Sequence, residues 1–256
     1  MTNGLSTQAE VRTVTVDDLL EVLGQGLRDF RAAPAYGLFF AAIYAVGGWA
    51  MILMLIAFDL PFLVYPLAAG FALIAPFIAS GFYVVSRQIE LGEPLSWRIV
   101  FVTVRSMFGR DLGWMALVTG FSLFIWMDIA ALLSFGFISF RLFSFAELFD
   151  VIFTTPAGWA FLVVGNAAGA LIAFAVFSYT AISIPMLFDC DIDFVTAMIT
   201  SVRVVKRNPR VMAIWCATIA VLIAISILSG FVGLLFTLPL LGHATWHLYR
   251  RAVAPA

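Results

Sequence analysis

Along this chain, long apolar runs come in pairs, and each pair follows a short amphipathic stretch. Runs of about 20 apolar residues are long enough to cross a hydrocarbon core about 30 Å thick. Six stand out, at residues 37–58, 60–86, 112–134, 157–187, 211–229 and 231–249. In the first amphipathic stretch Leu20, Leu23, Leu27 and Phe30 recur at helical spacing, while Asp17, Asp18, Glu21, Gln25 and Arg28 hold the other positions. Thr15 or Asp17 is placed to cap its start. In the second, Trp97, Phe101, Val104 and Phe108 oppose Arg98 and Arg105. In the third, Phe194, Met198, Val202 and Val205 oppose Thr196, Thr200, Arg203 and Arg207, with Asp191 or Asp193 as the cap. The pattern predicts an all-α polytopic membrane protein with six transmembrane helices in three hairpins, each preceded by a cytoplasmic interfacial amphipathic helix. A cytoplasmic N-terminal segment occupies residues 1–34, and the six-helix transmembrane domain residues 35–256.

The three units read as copies of one. GLRDFRAAP at 26–34 runs in register with SVRVVKRNP at 201–209, matching basic, apolar and proline positions. Pro76 precedes Arg87 by the same spacing that separates Pro239 from Arg250. The middle copy is weaker, with Asp111 where the others have proline. Proline can begin a span because its missing N–H would be unpaired there anyway. All three copies insert in one orientation, unlike the inverted repeats of many secondary transporters.

Composition agrees: 63% of the residues are hydrophobic and 11% charged, against roughly 45–50% and 25% in soluble domains. Charge sets the orientation. Of the 14 basic residues, all but Arg141 fall on one side of the six-span threading: Arg12, Arg28, Arg31, Arg87, Arg98, Arg105, Arg110, Arg203, Lys206, Arg207, Arg210, Arg250 and Arg251. Basic residues near span ends stay cytoplasmic, so the expectation is a bacterial inner-membrane protein with both termini inside. Residues 37–58 follow a polar segment and read as a signal-anchor span, not a cleaved leader. The outer connection, 135–156, mixes Phe140, Phe143, Phe145, Phe149 and Phe153 with Glu147 and Asp150. It suits a helix in the outer headgroup layer or, alternatively, a lid. A net charge of −1 gives no reason to expect nucleic acid as a partner. The expected partners are the lipid bilayer, other membrane proteins or further copies of the chain.

The segments Ser183-Ile184-Pro185-Met186-Leu187 with Asp189, residues 197–209, and Pro239 through His247 with Tyr249 and Arg250 carry a family resemblance. In these the chain resembles a bacterial family of predicted six-helix integral membrane proteins, domain of unknown function 2189, some of whose members are labelled cytochrome c oxidase subunit I-like. The resemblance implies the fold and the membrane location and brings no established activity or catalytic residue. A haem-copper catalytic subunit needs histidine ligands on several helices, and the only histidines of this chain are His243 and His247, on one helix.

Those two are the first candidate site. Four residues apart, they project from one face of a helix, a spacing that lets two imidazoles share a metal ion. The competing readings are an inner-interface cluster with Trp246 and Tyr249 hydrogen-bonded to headgroups or helices, and a proton-linked role. No cofactor is predicted, and a metal or haem contact at this pair is the alternative. Asp128 lies inside an apolar run near its outer end, either snorkelling or pairing with Arg141, or on an ion path. Asn166, amid Gly165, Ala167, Ala168 and Gly169, sits near mid-membrane, where its amide can bond across helices or meet a substrate. Pro66 and Pro76 kink or loosen the second span. Arg28, Arg31, Arg105, Arg203, Lys206, Arg207 and Arg250 form the interfacial basic set. Cys190 and Cys216 fit no CxxC or zinc spacing and read as free thiols. No phosphate-binding loop, nucleophile elbow or HExxH segment is present, so enzymatic activity is not expected. The expected role is structural or assembly-assisting. A small-solute or ion transporter and a metal- or haem-handling respiratory accessory are the alternatives.

Overall fold

The computed structural model describes residues 10–58, 64–138 and 145–254. They form α1 (Val16–Ala32), α2 (Pro34–Ala57), α3 (Val64–Leu91), α4 (Trp97–Phe108), α5 (Asp111–Phe137), α6 (Phe145–Thr154), α7 (Pro156–Thr180), α8 (Ser183–Asp189), α9 (Phe194–Arg207), α10 (Pro209–Leu228) and α11 (Leu234–Ala252). The link at 59–63, Arg141, Phe140 and Phe143 lie outside the described residues.

The three amphipathic stretches fold as α1, α4 and α9, and their starts follow from side-chain capping. Thr15 closes a capping box with Asp18, Ser96 accepts from the Ile99 N–H, and Asp193 accepts from Val195 and Thr196. The first and third helices also end alike. Ala33 (φ −135°, ψ 55°) and Asn208 (φ −124°, ψ 50°) break the helix with nearly the same backbone geometry, and Pro34 and Pro209 start the next. In the middle copy Arg110 has ψ −122° and Asp111 begins α5. The parallel between GLRDFRAAP and SVRVVKRNP therefore extends to the backbone of the break.

Four helical segments are long and apolar enough to cross a membrane: Pro34–Ala57, Asp111–Phe137, Pro156–Asp189 and Pro209–Leu228. The other two expected spans form helices at the expected places, α3 and α11, but do not reach that apolar length among the described residues. The reason is visible in α11. Its second half carries His243, Thr245, His247, Arg250 and Arg251, and it is enclosed chiefly by α1, α2 and α3. A helix wrapped by protein has no need to be apolar all round. The α3 helix continues through Pro66 and Pro76.

Both described chain ends meet at one end of the bundle, the basal end. Val11 pairs with Val253 in an isolated bridge, and the Arg12 N–H donates to the Ala252 carbonyl at 2.8 Å. Asn208 clamps this pairing: its Oδ1 accepts from the Val14 N–H at 2.8 Å and its Nδ2 donates to the Arg12 carbonyl at 3.0 Å. The main apolar core gathers at the same end, where Val22, Val85, Val100, Met115, Met212, Trp215, Trp246 and Leu248 are buried. A smaller cluster, Tyr44, Ala45, Phe231 and Leu234, packs α2 against the start of α11. At the far end α10 turns into α11 through Gly230 (φ +69°) and Phe231 (φ +65°).

Candidate functional site

The polar side chains of α11 converge on the basal core, and the approach of α1 makes this possible. A Cβ at Gly26 would fall 2.7 Å from both the Ala244 nitrogen and the Leu240 carbonyl oxygen, so only glycine lets the two backbones touch. Leu19, Val22, Gly26 and Asp29 share the buried face of α1. Asp29, one turn beyond the contact, is thereby carried into the core with 7% of its surface exposed. In the repeat alignment its counterpart is Val204, also buried. The first copy has placed a carboxylate where the third has an apolar side chain.

Asp29 is held by α3 and α11. Ser86 Oγ donates to Asp29 Oδ2 at 2.7 Å, and His247 Nε2 lies 2.8 Å from the same oxygen. Ser86 Oγ is also 2.8 Å from His243 Nδ1. Proton counting fixes the direction of this chain. A carboxylate only accepts, so His247 carries its proton on Nε2. Ser86 has one proton, and it goes to Asp29, so His243 must donate from Nδ1. The His243 Nε2 is then a bare lone pair, fully buried and without a partner among the described residues. Burial works to raise the Asp29 carboxyl, but the hydrogen bonds from His247 and Ser86, with the nearby imidazoles, outweigh it and hold the group below the ordinary carboxylate range.

These residue types are those of a hydrolytic triad, and the geometry is not. In a triad the histidine accepts the serine proton, whereas here Ser86 gives its proton to the carboxylate and receives one from His243. Ser86 and His243 are both fully buried. The arrangement is a proton-ordered polar clasp between helices.

A second layer encloses the first. Trp246 Nε1 donates to Glu90 at 2.9 Å and Arg250 to the other Glu90 oxygen at 3.0 Å. Arg250 Nη1 and the Tyr249 hydroxyl both reach Asp189 Oδ2, at 2.7 and 2.8 Å. Arg87 approaches Asp189 Oδ1 at 3.4 Å. Arg251 pairs with Asp18 and Glu21. The end of α11 is thus tied to α1, α3 and α8 at once.

The structure brings His243 and His247 together with two residues that sequence reasoning did not single out, Asp29 and Ser86. The mismatch of Asp29 with Val204 was a readable signal; nothing in the sequence marked Ser86. Among the described residues no group of three or more His, Cys, Asp and Glu side chains is placed to hold a metal ion. Arg250 belongs to the inner network, while Arg28, Arg31, Arg105, Arg203, Lys206 and Arg207 are exposed. Asp128 is exposed on α5, and its expected partner Arg141 lies outside the described residues. Asn166 is exposed on α7, where Nδ2 donates to the Leu162 carbonyl of its own helix at 2.7 Å. Cys190 and Cys216 are free thiols.

Residues 64–189 match the model of the family described as predicted integral membrane protein (domain of unknown function 2189), the family that the sequence resembles. No curated protein and no solved structure matches the chain. The family match takes in Ser86, Glu90 and Asp189 and leaves Asp29, His243 and His247 outside it. With this match and its apolar helices, the protein is an integral membrane protein.

Proposed function

We propose that this protein is a structural or assembly-assisting component of a bacterial cytoplasmic membrane. One observation carries the reading: the polar groups of the α11 end are engaged with α1, α3 and α8, through Asp29, Ser86, Glu90, Asp189, Asp18 and Glu21. A scaffold needs such a locked end. A carrier needs an element free to rearrange and a polar path onward, and ahead of Gly242, towards the far end, residues 234–241 of α11 are apolar but for Thr237. Native purification with mass spectrometry and optical spectra tests this, with stable membrane-protein partners and no metal or haem as the expected result. Stoichiometric metal or haem that disappears in a His243→Ala, His247→Ala double variant would establish the accessory reading instead. Asp29-dependent dissipation of a pH gradient in proteoliposomes would establish transport.

The topology proposed with this role is six spans in three hairpins, with α1, α4 and α9 along the inner interface and both termini in the cytoplasm. In its support, α3 and α11, at 28 and 19 residues, measure about 42 and 28 Å at about 1.5 Å per residue. The pairing of Val11 with Val253 agrees with termini on one side. Reporter fusions after residue 256 and near Glu147 decide it, and an external C-terminus would refute it.

A further inference from the structure

The candidate span that α7 begins, Pro156–Asp189, is the least buried of the four, with 6% of its most apolar stretch enclosed. Ten residues at about 1.5 Å each put Asn166 about 15 Å from the helix start at Pro156, in the middle of the bilayer. There its amide faces outward. One N–H returns to the Leu162 carbonyl, and the second N–H and Oδ1 have no partner among the described residues. Hydrocarbon offers an amide nothing, so a lipid-facing position leaves two hydrogen-bonding sites unfilled. The surroundings are ordered as well. Trp159, Val163, Asn166, Ala170 and Ala173 are all exposed and follow one another at spacings of four, three, four and three. That is the spacing of a two-helix seam, with small residues that permit close approach beside the amide. Gly169 faces elsewhere: a Cβ there would meet Trp126 of α5 at 3.1 Å.

We propose that two copies of this chain pair in parallel through this seam of α7, with the Asn166 amides bonded to each other across a twofold axis. A second copy is the occupant because an amide complements itself. At a dyad each Asn166 stands at the same depth as its mate, and the free N–H of one meets the free Oδ1 of the other. A single polar residue in an apolar seam also fixes register, which suits a parallel pair inserted with one orientation. The proposal rests on the reading that α7 crosses the bilayer.

The test uses the full chain, purified and reconstituted in phospholipid vesicles, with cysteines introduced singly as Ala170→Cys and Val163→Cys on the seam and Leu171→Cys off it, and with the unmodified chain controlling for Cys190 and Cys216. Oxidation should link the two seam variants into a product of twice 28.0 kDa and leave Leu171→Cys at background. Adding Asn166→Leu should weaken association, read by energy transfer on dilution into excess lipid, by roughly tenfold. Background-level linking at the seam, equal linking on and off it, or unchanged association in Asn166→Leu overturns the dimer. An Asn166→Cys variant separates the two failures. Protection from a membrane-impermeant thiol reagent without linking refutes the pairing alone, whereas labelling from either side refutes the span and the pairing together.

Discussion

Removing the Asp29 carboxylate is the most direct probe of the basal clasp. Asp29→Ala leaves Ser86 Oγ and the His247 Nε2–H buried without an acceptor, and breaking a buried pair from one side costs about 3–5 kcal/mol. Asp29→Asn keeps the shape and an acceptor oxygen but loses the charge. Its two charge-assisted bonds, at 2.7 and 2.8 Å, become neutral ones weaker by about 1 kcal/mol each, about 2 kcal/mol together. Replacing the group as a whole, with Asp29→Val, Ser86→Ala, His243→Leu and His247→Leu, removes the unmet partners along with the carboxylate. Most of the loss should then return, since the third repeat buries Val204 at the equivalent position. Unfolding of the purified protein in mixed micelles by SDS titration, followed by far-ultraviolet circular dichroism, gives these differences, and a double-mutant cycle with His247→Ala isolates the coupling, expected at about 1.5–3 kcal/mol. An Asp29→Ala cost below about 1 kcal/mol, or costs of the two substitutions that simply add, would refute the idea that the clasp holds α1 to α11.

Acid should loosen the same contact. Asp29, despite its burial, is lowered by its bonds to His247 and Ser86, and Asp18 is lowered first by its backbone and side-chain bonds with Thr15. Because both carboxyls titrate lower when folded, their stabilisation is present above the ordinary value of 3.8 and is lost as pH falls through the folded values. Limited proteolysis of α1 across that range should show release, and Asp29→Asn should flatten the dependence. Gly26→Val puts side-chain atoms against the Ala244 and Leu240 backbone. It should cost about 3 kcal/mol and expose a cysteine probe on α1 while insertion is unchanged. Asn208→Ala removes the acceptor of the Val14 N–H and the donor to Arg12. The expected loss is about 1–3 kcal/mol, with faster cleavage of the N-terminal segment and no change in the helices.

What the sequence determined by itself was whatever a single helix expresses along its own length. Helix starts at Thr15 or Asp17 and at Asp191 or Asp193 were legible because a cap acts on the next three residues, and Thr15 and Asp193 are the caps used. Pro34 and Pro209 marked new helices because proline forbids continuation of the one before. The repeat and the apolar runs were legible for the same reason. Tertiary structure decided the rest. Asp29 meets His247 across 218 positions and Ser86 meets His243 across 157, and no local pattern encodes such a distance. It also decided how each span is turned about its axis. A helix that is apolar on all sides, as α5 and α7 are, has no polar stripe to say which face packs inward. So the same arithmetic that put Asn166 at mid-membrane left open whether its amide joined a neighbour in the bundle. Packing against α5 turned Gly169 inward and Asn166 out.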